Sequence, residues 1–144
     1  MNQQVLNTVQ NLTCIEVARG KEIFHEGALS DDTMYFIFGG EIGIYKDRPG
    51  GEQEIHRIGP GHFFGEMALI NERPRLATAR VISDEARLAV INRPMLLKLA
   101  GSSPEFLFYL LKHAVSRLLA AEDKLQRVRE DLDDVKRQRS GFQG

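Results

Sequence analysis

The residues able to do chemistry in this 144-residue chain cluster in one segment, Gly59-Pro-Gly-His-Phe-Phe-Gly-Glu-Met-Ala-Leu-Ile-Asn-Glu-Arg-Pro-Arg-Leu-Ala-Thr-Ala79. It reads as a glycine turn, a short apolar helix, a polar loop and an arginine leading into a strand. Gly65 permits close approach of the backbone to a ligand. Met67 to Ile70 make about one helical turn, and the first N–H groups of such a turn lack intrahelical partners and suit an anion. Arg75 returns a fixed positive charge to the same place, with a planar fork able to grip two phosphate oxygens. Glu66 is out of place beside an anion unless it accepts a hydrogen bond from an adjacent hydroxyl. A 3′,5′-cyclic nucleotide offers that combination, one negative charge on the phosphate and a free ribose 2′-hydroxyl. The plainer alternative is that Glu66 and Arg75 pair with each other.

Other chemistries find little support. The histidines His25, His56, His62 and His113 are scattered without metal-ligand spacing, and His62 beside Phe63 reads as a loop histidine rather than a ligand. The single cysteine, Cys14, excludes an internal disulfide and a cysteine-only metal cluster within one chain. The segment offers no nucleophile–base pair, so binding without catalysis is expected. A net charge of −1 gives no overall pull toward nucleic acid or an anionic membrane. The tail from Lys112 to Arg139 mixes eight basic with six acidic residues, a poor phosphate track, so no direct contact with nucleic acid is expected. No apolar run approaches the ~20 residues of a membrane span, and residues 1–20 lack a basic start and an apolar signal core. No membrane insertion and a cytoplasmic location are expected.

Two kinds of element must position this segment. From Lys21 to Asn92, glycines recur at short intervals between β-rich runs: Met34–Phe38, Glu41–Tyr45, Glu54–Ile58, Ala77–Ile82 and Ala86–Ile91. Arg48-Pro-Gly-Gly51 is a hairpin turn. Many short strands with regular turns predict a β-roll, a double-stranded jelly roll. After Asn92 the pattern turns helical. Arg93 and Pro94 open a short helix over 94–100, which Gly101 is expected to stop. Ser103-Pro104-Glu105 supplies a capping serine, a proline in the first turn and an acid beside it. No glycine or proline follows until Gly141, which predicts one long helix over 103–140, with 141–144 frayed. The expected class is mainly β with C-terminal helices, a β-roll unit over 1–102 holding the cassette at 59–79.

The long helix carries a heptad seam. Leu111, Leu118, Leu125 and Leu132 occupy one core position, and Leu107, Ala114, Ala121, Val128 and Val135 the other. An amphipathic helix lying on its own domain explains Leu107 to Leu118. The seam continues beyond, so a homodimer through 107–135 is expected. In a parallel pair Arg117 faces Glu122 and Asp131 faces Lys136, whereas Lys124 against Arg129 is unfavourable.

At Phe64-Gly-Glu-Met-Ala-Leu69, a four-residue insert and Pro74-Arg-Leu-Ala-Thr78, the sequence resembles the phosphate-binding cassette of the cyclic-nucleotide-binding domain family. That family includes regulatory subunits of cAMP-dependent protein kinase, the bacterial catabolite activator protein and cyclic-nucleotide-gated channels. Glu26-Gly27, Asp32, Met34-Tyr-Phe-Ile37, Gly40 and Ile42-Gly-Ile-Tyr45 extend the likeness, which covers roughly residues 18–120. The resemblance implies that Glu66, with Phe64, Gly65 and Met67 around it, takes the ribose 2′-hydroxyl. It implies that Arg75 pairs with the cyclic phosphate, and that N–H groups around Ala68, Leu76 and Ala77 complete the cradle. Family members that favour cGMP often place a hydroxyl residue directly after the cassette arginine; here that residue is Leu76, so cAMP is the favoured ligand and cGMP the alternative. No cofactor is expected. A gap-free match puts Ala121 and Glu122 where the bacterial activator contacts adenine through hydroxyls. Arg117 is the remaining candidate to stack on the base, against the plainer reading of a solvated helix charge.

The expected function is a sensor whose C-terminal helices move on binding and whose bound state an effector protein reads. The rival is the sensor fragment of a larger cAMP-dependent transcription regulator or ion channel. Transcription regulators continue into a winged helix-turn-helix after the long helix, for which a chain ending at Gly144 leaves no room. Channels place a helical linker before the β-roll, for which residues 1–17 leave little space.

Overall fold

The β-rich runs between the glycines become strands, and the glycines become the turns that reverse them. A computed structural model describes Asn7, Thr8 and residues 12–141. The strands are β1 (Cys14–Ala18), β2 (Glu22–Phe24), β3 (Thr33–Gly39), β4 (Ile42–Arg48), β5 (Gly51–Ile58), β6 (Phe63–Phe64), β7 (Thr78–Val81) and β8 (Glu85–Asn92). The helices are α1 (Glu66–Asn71), α2 (Arg93–Ser102) and α3 (Pro104–Gly141). Two four-stranded sheets form, in the orders β1-β8-β3-β6 and β2-β7-β4-β5, with antiparallel pairing throughout. This is the jelly-roll-like, mainly β architecture with C-terminal helices that the glycine spacing implied.

Burial follows the sheets. Met34, Tyr35, Phe36 and Ile37 are all buried, because β3 is covered on both faces. Tyr35 and Ile37 join Ile42, Ile58, Phe64, Val81 and Leu88 in the core. Phe36 points the other way, as strand alternation requires, and meets Phe63 at 4.9 Å; Phe63 in turn packs edge-on against Phe106 at 5.5 Å. The expected hairpin forms between β4 and β5, with Arg48 opposite Gly51. β5 is exposed at every residue but Ile58, and its Glu52, Glu54 and Arg57 blunt the open edge. Gly40 has φ 87, and a Cβ there would lie 2.4 Å from the Glu85 carbonyl oxygen, so no other residue fits.

Three strands escaped the sequence reading. β2 and β6 have three and two residues, too short for alternation to emerge, and the five-residue β1 is exposed along most of its length. The short helix also differs from the expected 94–100. It starts at Arg93, where the Asn92 side chain accepts from the Met95 N–H at 2.9 Å, and runs through Gly101 to Ser102. Gly101 stops nothing because it does not take the left-handed conformation by which glycine ends helices. The Ser103 N–H closes the helix on the Leu99 carbonyl at 2.8 Å. Of the tail expected to fray, Gly141 is the last residue of α3, and 142–144 lie outside the described residues.

The chain divides into two compact units, up to Tyr109 and from Leu110 onward. The first holds the strands, α1, α2 and the start of α3. The second is the rest of the 38-residue α3, on which Leu111, Leu118, Leu125, Val128, Leu132 and Val135 are exposed. Among the described residues, no helix is long and apolar enough to cross a membrane.

Candidate functional site

The site begins where β6 ends. Phe64 is buried, its ring stacked on Tyr35 at 5.2 Å. The next residue must turn the chain outward, and Gly65 does so with φ 81 at the N-cap of α1. Space imposes glycine as well, since a Cβ would stand 2.8 Å from Arg75 Nη1 and 3.2 Å from the Phe24 ring. No side chain caps the start of α1. Ala68 and Leu69 anchor the helix in the core, Glu66 is half-buried at its first position, and Met67 and Ile70 are exposed. Glu72, left-handed at φ 54, ends it.

Arg75 returns to the start of that helix and is only 4% exposed. Its backbone is fixed first: the Gly27 N–H donates to the Arg75 carbonyl at 2.8 Å, and the Arg75 N–H to the Ala28 carbonyl at 2.9 Å. Nη1 then donates to the Gly65 carbonyl at 3.0 Å. Nη2 donates to Asp31 Oδ1 at 2.5 Å and to the Thr33 carbonyl at 2.9 Å, with Thr33 Oγ1 at 3.2 Å. The guanidinium lies 4.2 Å from the centre of the Phe24 ring, a cation–π contact. A buried cation needs such compensation. The ion pair resolved for Arg75 is thus with Asp31, where the plainer sequence reading paired it with Glu66. Burial alone would push the Asp31 carboxyl up, but the Thr33 hydroxyl and the Arg75 charge outweigh it and hold the pKa below the ordinary value.

Sequence reasoning missed Phe24, Asp31 and Thr33, which lie far from Arg75 in the chain and reach it only through the sheet register. It missed Arg93 as well. From the first position of α2, Arg93 donates to the Leu69 carbonyl at 2.7 Å and forms ion pairs with Asp32, at 3.3 Å, and Glu72. Ser30 Oγ donates to the Ala68 carbonyl at 2.8 Å, fastening the 28–32 loop to α1. Short-range pattern carries no trace of these contacts.

Of the residues singled out by sequence, Phe64, Gly65, Glu66, Met67, Ala68, Arg75, Leu76 and Ala77 share one connected stretch of the first unit. Leu76 is exposed and Ala77 half-buried, just ahead of β7. Arg117 lies on α3 in the second unit and is half-buried, where Ala121 and Glu122 are exposed. Among the described residues, no group of three or more His, Cys, Asp or Glu is placed to hold a metal. A buried, many-partnered guanidinium, the uncapped start of a helix and a carboxylate at its first position together suit an anion that carries a hydroxyl.

Comparison with known proteins points the same way. The family described as "Cyclic nucleotide-binding domain" matches residues 14–103. The chain is 31% identical over 100 residues to the cAMP-dependent protein kinase type II regulatory subunit of Drosophila melanogaster, a match covering 69% of this chain and 26% of that protein. It is 34% identical over 79 residues to the cyclic AMP receptor protein of Thermus thermophilus, covering 54% of this chain and 36% of that one. The chain therefore spans about a quarter to a third of these relatives. Among solved structures, the Thermus thermophilus catabolite activator protein superposes with a TM-score of 0.76 at 27% identity, over 90% of this chain and 60% of that one. The matched span runs from β1 to the end of α2 and encloses the whole cassette, so the chain belongs to the cyclic nucleotide-binding domain family.

Proposed function

We propose that the chain is a cAMP-favouring sensor that binds one nucleotide per cassette and passes occupancy to its C-terminal helices. The observation that carries this reading is Arg75, a buried cation held against the left-handed Gly65 at the start of α1. In this reading Arg75 takes the cyclic phosphate, and Glu66 accepts from the 2′-hydroxyl. Phe64, Gly65 and Met67 shape the turn around them. N–H groups near Ala68, Leu76 and Ala77 complete the cradle. Leu76 offers no hydroxyl to a guanine amino group, which favours cAMP over cGMP. Arg117 is the candidate for the base. The helices respond by drawing toward the pocket, a shift limited by the ligand's differential affinity for the two arrangements.

Calorimetry tests the first part: cAMP is expected to bind at one site per chain and more tightly than cGMP. Equal or reversed affinities would defeat the selectivity, and no binding of either would defeat the function. Amide exchange tests the second. With cAMP it should slow over residues 94–120 as well as at the cassette, whereas protection confined to 64–78 would mean a rigid binder. The domain is further read as cytoplasmic, as a homodimer through 107–135, and as acting on an effector protein. The longer relatives favour one other reading, in which the same sensor serves within a larger regulator or channel.

A further inference from the structure

β6 has only two residues, and successive residues of a strand face opposite ways. Phe64 faces the cassette side: its ring lies 5.2 Å from Tyr35 and 5.9 Å from Phe24, the ring that Arg75 stacks on. Phe63 faces the helical side and packs edge-on against Phe106 at 5.5 Å and Tyr109 at 5.8 Å. The Tyr109 hydroxyl also donates to the Gly61 carbonyl at 2.7 Å, two residues before Phe63. Gly61 and His62 are themselves pinned to β3, through Gly61 N–H to the Ile37 carbonyl at 2.8 Å and Ile37 N–H to the His62 carbonyl at 3.0 Å. A displacement at Gly65 or Arg75 therefore acts on a short rigid strand whose far side touches the first turns of α3.

The two contacts on that far side differ in kind. Ring packing by Phe63 and Phe106 has a broad preference for edge-on geometry and changes only gradually as the rings slide. A 2.7 Å hydroxyl–carbonyl bond weakens steeply with small changes of distance and angle, so it distinguishes one helix position from another. Burial raises the Tyr109 hydroxyl pKa, so the group stays a donor at physiological pH.

We propose that Tyr109 is the positioning residue that ties cassette occupancy to the start of α3, its hydroxyl holding the Gly61 carbonyl more firmly when a cyclic nucleotide is bound. This rests on the reading of the cassette given above. A bond equal in both states would leave affinity untouched, because only a difference between states couples them.

Tyr109→Phe keeps the ring and removes only the directional bond. In the full chain, Y109F is expected to weaken cAMP binding by a factor of about 2 to 10, the whole of one net hydrogen bond being the ceiling and the difference between states the measured part. At saturating cAMP, the slowing of amide exchange should shrink over residues 104–109 and persist over 64–77. A lower melting temperature with unchanged cAMP affinity and an unchanged response at 104–109 would overturn the proposal, leaving the hydroxyl a structural tie alike in both states. Wild-type binding without any response at 104–109 would overturn it too, while the cassette reading stood. Failure of the wild type to bind any cyclic nucleotide would bring down both. If Y109F does not fold, the unmodified chain supplies an independent measurement. Hydroxyl-proton exchange at Tyr109, followed by NMR, should slow when cAMP is added, and an unchanged rate would refute the tie.

Discussion

Arg75 is held from several sides. Its guanidinium is shared among the Gly65 carbonyl, Asp31, Thr33 and the Phe24 ring, so in the proposed reading a phosphate at α1 would meet a cation already in place. Arg75→Ala removes that charge from the proposed phosphate site. A charge-assisted contact is worth roughly 1.5–3 kcal/mol, so cAMP affinity should fall at least about tenfold by calorimetry. Arg75→Lys keeps a charge but cannot reproduce the planar fork, and should recover little of the loss. Glu66→Ala should weaken cAMP yet have much less effect on a 2′-deoxy analogue. Equal losses with both ligands would remove Glu66 from the ribose contact.

At the scale of elements, the cassette is locked by pieces remote in sequence: the 27–33 loop through Asp31 and Ser30, and α2 through Arg93. The loop's contribution has a pH signature. Asp31 titrates below its ordinary value in the folded chain, so its pairing stabilises the fold above that ordinary value, about 4, and the stabilisation is lost as pH falls through the lowered one. Asp31→Asn should therefore lower the melting temperature at pH 7 and bring it closer to wild type at pH 3. A constant offset between the two proteins across that range would place the effect elsewhere. The same remoteness explains what the sequence showed and what it hid. Gly65, Glu66 and Arg75 sit within eleven consecutive positions, and their chemistry could be read from type and spacing. The β4–β5 hairpin and α3 were legible for a similar reason, since a Pro-Gly turn and a seven-residue repeat are local signals. Asp31, Thr33, Phe24 and Arg93 were not, because β3, β6 and β7 must first be set in register before these residues meet. β6, the element joining cassette and helix, is two residues long and leaves no periodic trace.

At the scale of the whole molecule, the second unit carries an exposed apolar seam. Leu118, Leu125, Val128, Leu132 and Val135 are each 48% to 62% exposed along one seam of α3. A stripe of that length is costly in water. A parallel copy would cover it, with Leu118, Leu125 and Leu132 meeting their counterparts and Ala114, Ala121, Val128 and Val135 filling the alternate layers. Arg117 would face Glu122 and Asp131 would face Lys136, against one repulsive match of Lys124 with Arg129. Each buried leucine contributes roughly 1.5–3 kcal/mol, and association costs several kcal/mol, so Leu125 and Leu132 are positioned to decide the balance. Replacing both with Asp should give a folded monomer that still binds cAMP, because the cassette residues all come from one chain. Light scattering is the check: the wild type should show twice the chain mass of 16.3 kDa, and the double variant that mass alone. A wild type already at the single-chain mass would sink the dimer, whereas loss of cAMP binding in a folded monomeric variant would place part of the site across the interface.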